Sequence, residues 1–576
     1  MKKLLRYLKP FKKQVILGPL FKLTEAIFEL LVPTLMAHII DRGVGRSDLP
    51  YVWKMGALIV GLGVVGLGCA LTCQYFAART SQGVGTLLRQ DMFKKIGQLS
   101  HRELDQFGTA TLITRVTSDV NQLQVAVAML IRLVVRAPFL VIGATVMAMT
   151  IDLKMSLIFL AAIPLIGLTL YVVMKKTVPF YRTIQKKLDR IGTVSRENLE
   201  GVRVIRAFSR QEQEKARFDD ASGDLAGTSV RVGRVSALLN PLTSIIMNFG
   251  IIAILYFGGY QVNSGALSQG QIIALVNYMT QILLALVVVA NLVVIFTKAS
   301  ASATRVSEVL ETVPSIAQQP GAAVPAPTAG CPKVQLRDVD FRYFTGENAL
   351  TDISFAVQPG QTVGIIGGTG AGKSTLVNLL PRFYDAVAGT VEIDGQDVRQ
   401  WPLDALRAQF GLVPQQARLF TGTIRENLLW QVPDATDEQL WRALDIAQAS
   451  EFVQKLPQGL DAPVQQGGKN LSGGQRQRLT IARALVGMPP ILILDDSASA
   501  LDFATDAALR AALARIEGST VFIVSQRVSA IKNADLVLVL DDGQLVGSGT
   551  HHQLMDSCQV YREICLSQLS EEEAAQ

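Results

Sequence analysis

The sequence predicts two unlike domains on one chain: an α-helical domain that crosses a membrane, then an α/β domain built around a phosphate-binding loop. Three observations carry this. Residues 235–297 contain no Asp, Glu, Lys or Arg, a stretch long enough for two spanning helices of about 20 apolar residues each. Further on, Gly367-Gly368-Thr369-Gly370-Ala371-Gly372-Lys373-Ser374 fits the pattern G-x-x-x-x-G-K-[ST]. Between them, 313–332 is rich in Pro, Ala and Gly, the composition of a linker. At 576 residues the chain also exceeds what one core organises. The predicted division is therefore 1–312, a linker at 313–332, and 333–576.

The first domain reads as six spans. They are 15–40, 55–78, 125–150, 155–174 and the two helices of 235–297, joined at Asn263-Ser264-Gly265. The first is the weakest, because Lys22, Glu25, Glu29 and His38 interrupt it. It is counted because an even number keeps both chain ends on one side. The bland reading of 235–297 is a buried soluble hairpin, but four further apolar segments exceed what a soluble core could cover. Lys2, Lys3, Arg6, Lys9, Lys12 and Lys13 precede the first span without an acid. This reads as an interfacial helix on an anionic cytoplasmic leaflet. A cleavable signal is not expected, since no small-residue cleavage site follows the apolar stretch. Basic residues at the span ends put the N-terminus and the α/β domain in the cytosol, beneath a plasma (inner) membrane. The net charge of +7 comes largely from this flank, and no nucleic-acid patch is read. Cys69, Cys73, Cys331, Cys558 and Cys565 form no zinc or redox spacing.

The connections 79–124 and 175–234 are long, charged and poor in Gly and Pro. Paired helices there, at about 1.5 Å per residue, would carry the spans well beyond the bilayer. From Lys333 the pattern changes to short β-rich runs alternating with helices, which signals an α/β domain. Thr362–Gly367 reads as a strand and 373–380 as the helix after it. Glycines between them let backbone amides converge on phosphate, and the helix N-terminus adds a favourable dipole. Downstream stand Leu471-Ser472-Gly473-Gly474-Gln475 and the acidic strand Ile491-Leu492-Ile493-Leu494-Asp495. By the order and spacing of these elements the chain resembles an ATP-binding cassette (ABC) exporter over essentially its whole length. The resemblance implies six transmembrane helices with long intracellular extensions, fused to an α/β P-loop (RecA-like) nucleotide-binding domain with a helical subdomain. The segments 107–120 and 197–208 resemble the two coupling segments of such exporters; read blandly, both are amphipathic helix ends.

The resemblance also assigns the site. Gly367, Gly368, Thr369, Gly370, Ala371, Gly372, Lys373, Ser374 and Thr375 would cradle the phosphates of ATP, with Lys373 on the β and γ groups. Ser374, Gln415 and Asp495 would hold Mg²⁺. Tyr343 stands where the family stacks an aromatic on adenine, with strand packing as its other reading. Leu471, Ser472, Gly473, Gly474 and Gln475 would complete the ATP site of the opposite subunit, and Asp502, in Ser499-Ala500-Leu501-Asp502, would communicate between sites. Two positions depart from the pattern. Asp496 stands in place of the catalytic glutamate, and Gln526 in place of the histidine that bridges the γ-phosphate to it. In 464–468, Gln466 replaces the usual glutamate.

These departures make the chain resemble the degenerate half of a bacterial heterodimeric multidrug-type exporter. Its expected partners are a second half-transporter with Glu and His intact, the lipid bilayer, and a hydrophobic or amphipathic substrate. Two other classes are weighed: a ligand-gated channel, for which nothing marks an ion filter, and a regulatory subunit that moves no substrate itself. A peptide-processing exporter is disfavoured because no protease domain precedes the spans. Glu25 and Glu29, four apart on one helix face, are expected inside the bundle, because an ionised acid facing hydrocarbon costs at least ~2.5 kcal/mol. There they either face a translocation cavity or form a structural pair with Lys22 one turn away.

Overall fold

The apolar stretches become long helices, seen in a computed structural model that describes residues 2–317, 324, 330–344, 346–498 and 500–569. Most of the predicted linker, Ser499 and the acidic run Glu571-Glu572-Glu573, which reads from sequence as a solvated end, lie outside the described residues. The chain divides into two units: Met1–Gly97 with Thr109–Thr312, and Gln98–Gly108 with Val313–Gln576.

In the first unit a 3₁₀ helix, Lys2–Phe11, precedes α1 (Lys12–His38) and α2 (Leu49–Gln98). After α3 (His101–Phe107), which belongs to the second unit, come α4 (Thr109–Ile151) and α5 (Leu153–Glu200). Then follow α6 (Val202–Ala207), α7 (Gln211–Asn263) and α8 (Gln269–Glu311). Among the described residues, α2, α4, α5, α7 and α8 are the 5 helices long and apolar enough to cross a membrane. The predicted first span forms α1, yet its Lys22, Glu25 and Glu29 keep it out of that set. Asp152 caps α5 by accepting from the Met155 amide, and Ser268 with Gln271 forms a capping box at α8, so each turn ends where a polar side chain meets free amides.

The helices pack around Tyr278, Phe159, Ile254 and Ile282, all fully buried. Tyr278 is kept there by hydrogen bonds to the Leu30 carbonyl (2.7 Å) and the Thr34 hydroxyl (2.8 Å). On α2, Leu58, Val60, Val64, Val65, Leu67 and Leu71 face outward, a stripe that only lipid or another membrane helix can cover. The two acids of α1 are each paired with a cation: Glu25 with Lys22 at 2.5 Å, Glu29 with Arg136 at 2.6 Å. Lys22 was anticipated for Glu25; Arg136, more than a hundred residues away, was not. These pairs support the structural role for both acids over the reading of substrate. Removing one partner of a buried pair costs roughly 3–5 kcal/mol. Because the Glu29 side chain is 39% exposed, Arg136→Leu should cost less, about 1–3 kcal/mol of thermal stability in detergent. Glu29→Leu added to it should recover most of the loss. If the double variant melts as low as the single one, the orphaned Glu29 carboxylate is not the source of the loss.

In the second unit an antiparallel sheet runs in the order β2-β1-β4-β5, with β1 Val334–Phe341, β2 Leu350–Val357, β4 Ala388–Ile393 and β5 Gln396–Asp397. A second sheet has the order β12-β11-β3-β10-β9-β6. Its strands are β3 Thr362–Gly367, β6 Phe410–Val413, β9 Ile491–Asp495, β10 Thr520–Val524, β11 Leu536–Asp541 and β12 Gln544–Gly549. All neighbours in it are parallel except β12 against β11. β9 is buried at every residue, as strands covered on both faces must be. The short β7 (Gly422–Thr423) and β8 (Pro463–Val464) pair beside a helical subdomain. Leu428, Leu440, Leu444, Val453 and Leu479 fill its core.

Of the segment 107–120 that resembles the first coupling segment, only Phe107 and Gly108 belong to the second unit; 109–120 continues as α4. The element that packs there is α3, just upstream. His101 stacks on Phe383 at 4.3 Å, and the Tyr384 hydroxyl donates to Asp105 at 2.6 Å. Burial pulls His101 below the ordinary histidine range. The other segment, 197–208, forms the end of α5 and α6, where Leu199, Val204 and Phe208 are exposed.

Candidate functional site

Parallel α/β sheets present ligands at the carboxyl ends of their strands, and here five adjacent strands deliver residues to one cavity of about 360 Å³. β3 runs into the phosphate-binding loop, β6 leads to Gln415, β9 ends at Asp495 and Asp496, β10 leads to Ser525 and Gln526, and β11 turns at Asp542 and Gly543. The cavity is also lined by Thr369, Gly370, Gly372, Lys373, Ser374 and Thr375, and by Tyr343, Asn348 and Ala349 from the connection between β1 and β2. The remaining loop residues shape the turn from behind. A Cβ on Gly367 would stand 2.1 Å from the Leu540 carbonyl, so only glycine lets the loop pass β11. Gly372, at φ 93°, caps the helix Lys373–Leu379 in the left-handed region, where glycine is favoured. Ala371 is buried in the core beneath.

Lys373 Nζ donates to the Gly367 and Gly368 carbonyls, at 3.0 and 2.6 Å. Burial pulls it below the usual lysine range, while Asp496 and Asp495 oppose that pull. Ser374 Oγ donates to Asp495 Oδ1 at 3.0 Å. Asp495 is 8% exposed, and burial lifts its carboxyl above the ordinary range, with Asp496 adding to the lift. A hydroxyl and a buried carboxyl in contact, with Gln415 lining the same cavity, form the hard-oxygen set that Mg²⁺ takes when phosphate and water complete its shell. The residues fit the ion, and a bound cation would favour the ionised carboxylate of Asp495, against the pull of burial.

Tyr343 follows β1, its hydroxyl 2.8 Å from that of Thr375. Its ring meets Phe341 and Tyr384 edge-on, at 4.9 and 5.3 Å, which leaves its position fixed and part of the ring open. The backbone of Asp496 is pinned on both sides. Its amide donates to the Val524 carbonyl at 2.9 Å, and its carbonyl accepts from Gln477 Nε2 at 3.5 Å. Its φ of 46° lies in the left-handed region that Asp tolerates better than most residues.

Leu471–Gln475 takes no part in this cavity among the described residues. Ser472 instead caps the helix Gly473–Leu485, with Gln475 completing a capping box; the sequence pattern reads a helix over Gln475–Val486, and the cap draws its start two residues earlier. Asp502 lies outside the cavity too and caps the helix Phe503–Leu513 through the Thr505 amide. Gln466 opens a short 3₁₀ turn after β8. Sequence reasoning missed Asn348, Asp542, Gly543 and Gln477. Asp542-Gly543 carried a legible signal, since a two-residue Asp-Gly turn between strands marks a hairpin. Gln477 carried none; its Oε1 accepts from the Ala500 amide at 3.0 Å, joining the segment after β9 to the helix Gly473–Leu485.

Comparison with known proteins agrees with this arrangement. The family described as ABC transporter transmembrane region matches residues 15–286, and the family described as ABC transporter matches residues 350–499. The chain is 37% identical over 573 residues to the ABC transporter ATP-binding protein YfiB of Bacillus subtilis (strain 168), covering 99% of both chains. It is 31% identical over 573 residues to the putative multidrug export ATP-binding/permease protein YgaD of the same organism, covering 98% of both. Among solved structures, a bacterial Atm1-family ABC exporter with ATP bound superposes with a TM-score of 0.80 at 25% identity, over 98% of each chain.

Proposed function

The chain belongs to the ABC transporter family, as an exporter-type protein with membrane and ATPase domains on one polypeptide, and from that premise we propose that it is one half of an unequal pair. In this reading the chain contributes six spans, with α1 as the first, and its ATPase domain faces the cytosol. Together with a second half-transporter it moves amphipathic drug-like or lipid-like molecules outward. The similarity to YgaD, named as a putative multidrug export protein, supports that substrate class. Asp496 and Gln526 in one cavity with Lys373 and Ser374 carry the reading: the groups that hold ATP are present, and those that activate water are altered.

Lys373 and the loop amides bind the phosphates, and Tyr343 packs against adenine. Mg²⁺, held by Ser374, Asp495 and Gln415, would neutralise charge on the phosphates. Asp496 is one methylene shorter than glutamate, and Gln526 donates a hydrogen bond but carries no charge and moves no proton. Leu471–Gln475, outside the chain's own cavity, serves the site of the partner. The test is ATP-dependent uptake of a fluorescent amphiphile into inverted vesicles. The vesicles hold this chain, a second half-transporter with Glu and His intact, or both. Uptake is expected only with both, and uptake by this chain alone at the rate of the pair would sink the proposal.

A further inference from the structure

The loop that carries Gln526 is held by a side chain from the far end of the chain. Gln568 Nε2 donates to the Gln526 carbonyl at 2.7 Å, and Gln568 Oε1 accepts from the Val528 amide at 3.0 Å. A single carboxamide, with donor and acceptor in one plane, thus fixes the backbone on both sides of Arg527. The Gln526 side chain remains free to line the nucleotide cavity. Within the loop, Ser525 Oγ accepts from the Arg527 amide at 3.0 Å, and the Ser525 amide donates to Ile365 of β3 at 3.1 Å. Gln568 is itself well placed. The amides of Gln568 and Leu569 both donate to the Cys565 carbonyl, at 3.0 and 2.9 Å. Cys565 and Tyr561 of the helix Gln559–Leu566 are fully buried in a cluster with Ile366, Val528 and Ile531.

We propose that Gln568 is a positioning residue for recognition of the terminal phosphate of ATP, setting where the Gln526 carboxamide stands and so helping the site distinguish ATP from ADP. The inference rests on the role proposed above for Gln526 at the γ-phosphate. It concerns binding, so it stands apart from how fast the site hydrolyses.

The experiment is equilibrium binding of a non-hydrolysable ATP analogue and of ADP, each with Mg²⁺, to the full-length chain in detergent. Four proteins are compared: the wild type, Gln526→Ala, Gln568→Met, which keeps length but makes neither bond, and Gln568→Glu. The last still accepts from Val528 but sets a carboxylate against the Gln526 carbonyl. Gln526→Ala and both Gln568 variants should lower the preference for the ATP analogue by about three- to tenfold, the scale of one or two hydrogen bonds. Affinity for ADP should stay nearly constant. If Gln526→Ala lowers the preference and the Gln568 variants do not, the clamp is overturned while the role of Gln526 stands. Equal weakening of both nucleotides by the Gln568 variants reduces Gln568 to support of the fold, and a preference unchanged by Gln526→Ala removes the premise. Should Gln568→Met fail to fold, Gln568→Glu decides.

Discussion

Purified and reconstituted without a partner, the chain is expected to hydrolyse ATP at least about 10²-fold more slowly than the assembled pair. In the proposed reading two copies of it would own two sites, both with Asp496 and Gln526 in place of a glutamate and a histidine. Loss of a general base, or an error of an ångström in its position, each costs about 10²-fold in rate. The structure closes the obvious escape. The Asp496 backbone is tied to the Val524 carbonyl at 2.9 Å, so it cannot slide forward by the ~1.5 Å that the missing methylene removes. The Gln526 backbone is tied to Gln568 at 2.7 Å. Steady-state phosphate release from proteoliposomes of each composition is the measurement. Brisk turnover by the isolated chain would show that two degenerate sites suffice.

Much of the fold was legible because it is written in local patterns. The uncharged run 235–297 is long enough for two spans, and the glycine-rich turn into Lys373 fits a phosphate-binding loop. A helix after Leu471 was legible as well, although its start at Gly473 is set by the capping box of Ser472 and Gln475, a rule that acts over a single turn. What was not legible depends on contacts between distant residues. The partner of Glu29 is Arg136, which sequence places in another span. α3 packs in the second unit while the neighbouring 109–120 does not, and amphipathicity alone cannot choose between adjacent helical segments. Asn348 and Gly543 reach the cavity because β2 and β11 meet the loop, where Thr351 donates to the Gly543 carbonyl at 2.8 Å. The clamp by Gln568 has no local signature either: an exposed glutamine near a chain end reads as solvated until its two backbone partners are seen.

Restoring the glutamate alone should restore little. In the assembled pair, with the partner's own site silenced, Asp496→Glu is expected to raise turnover at this chain's site by less than about tenfold. The new carboxylate regains reach, but Gln526 still offers only a neutral donor and cannot bridge the γ-phosphate as a histidine does. Asp496→Glu together with Gln526→His should raise it by about 10²-fold, because the two residues act on one water and one phosphate, and groups that act as a unit are not additive. The cavity has room for the exchange: Gln526 is exposed at its rim and Asp496 is only half-buried, so neither change forces a core to repack. Vanadate trapping of labelled nucleotide, resolved by subunit after photocrosslinking, reads each site separately. Full recovery from Asp496→Glu alone would show that the glutamine is harmless. No recovery from the double variant would move the defect out of this pair, to the segment of the proposed partner that corresponds to Leu471–Gln475.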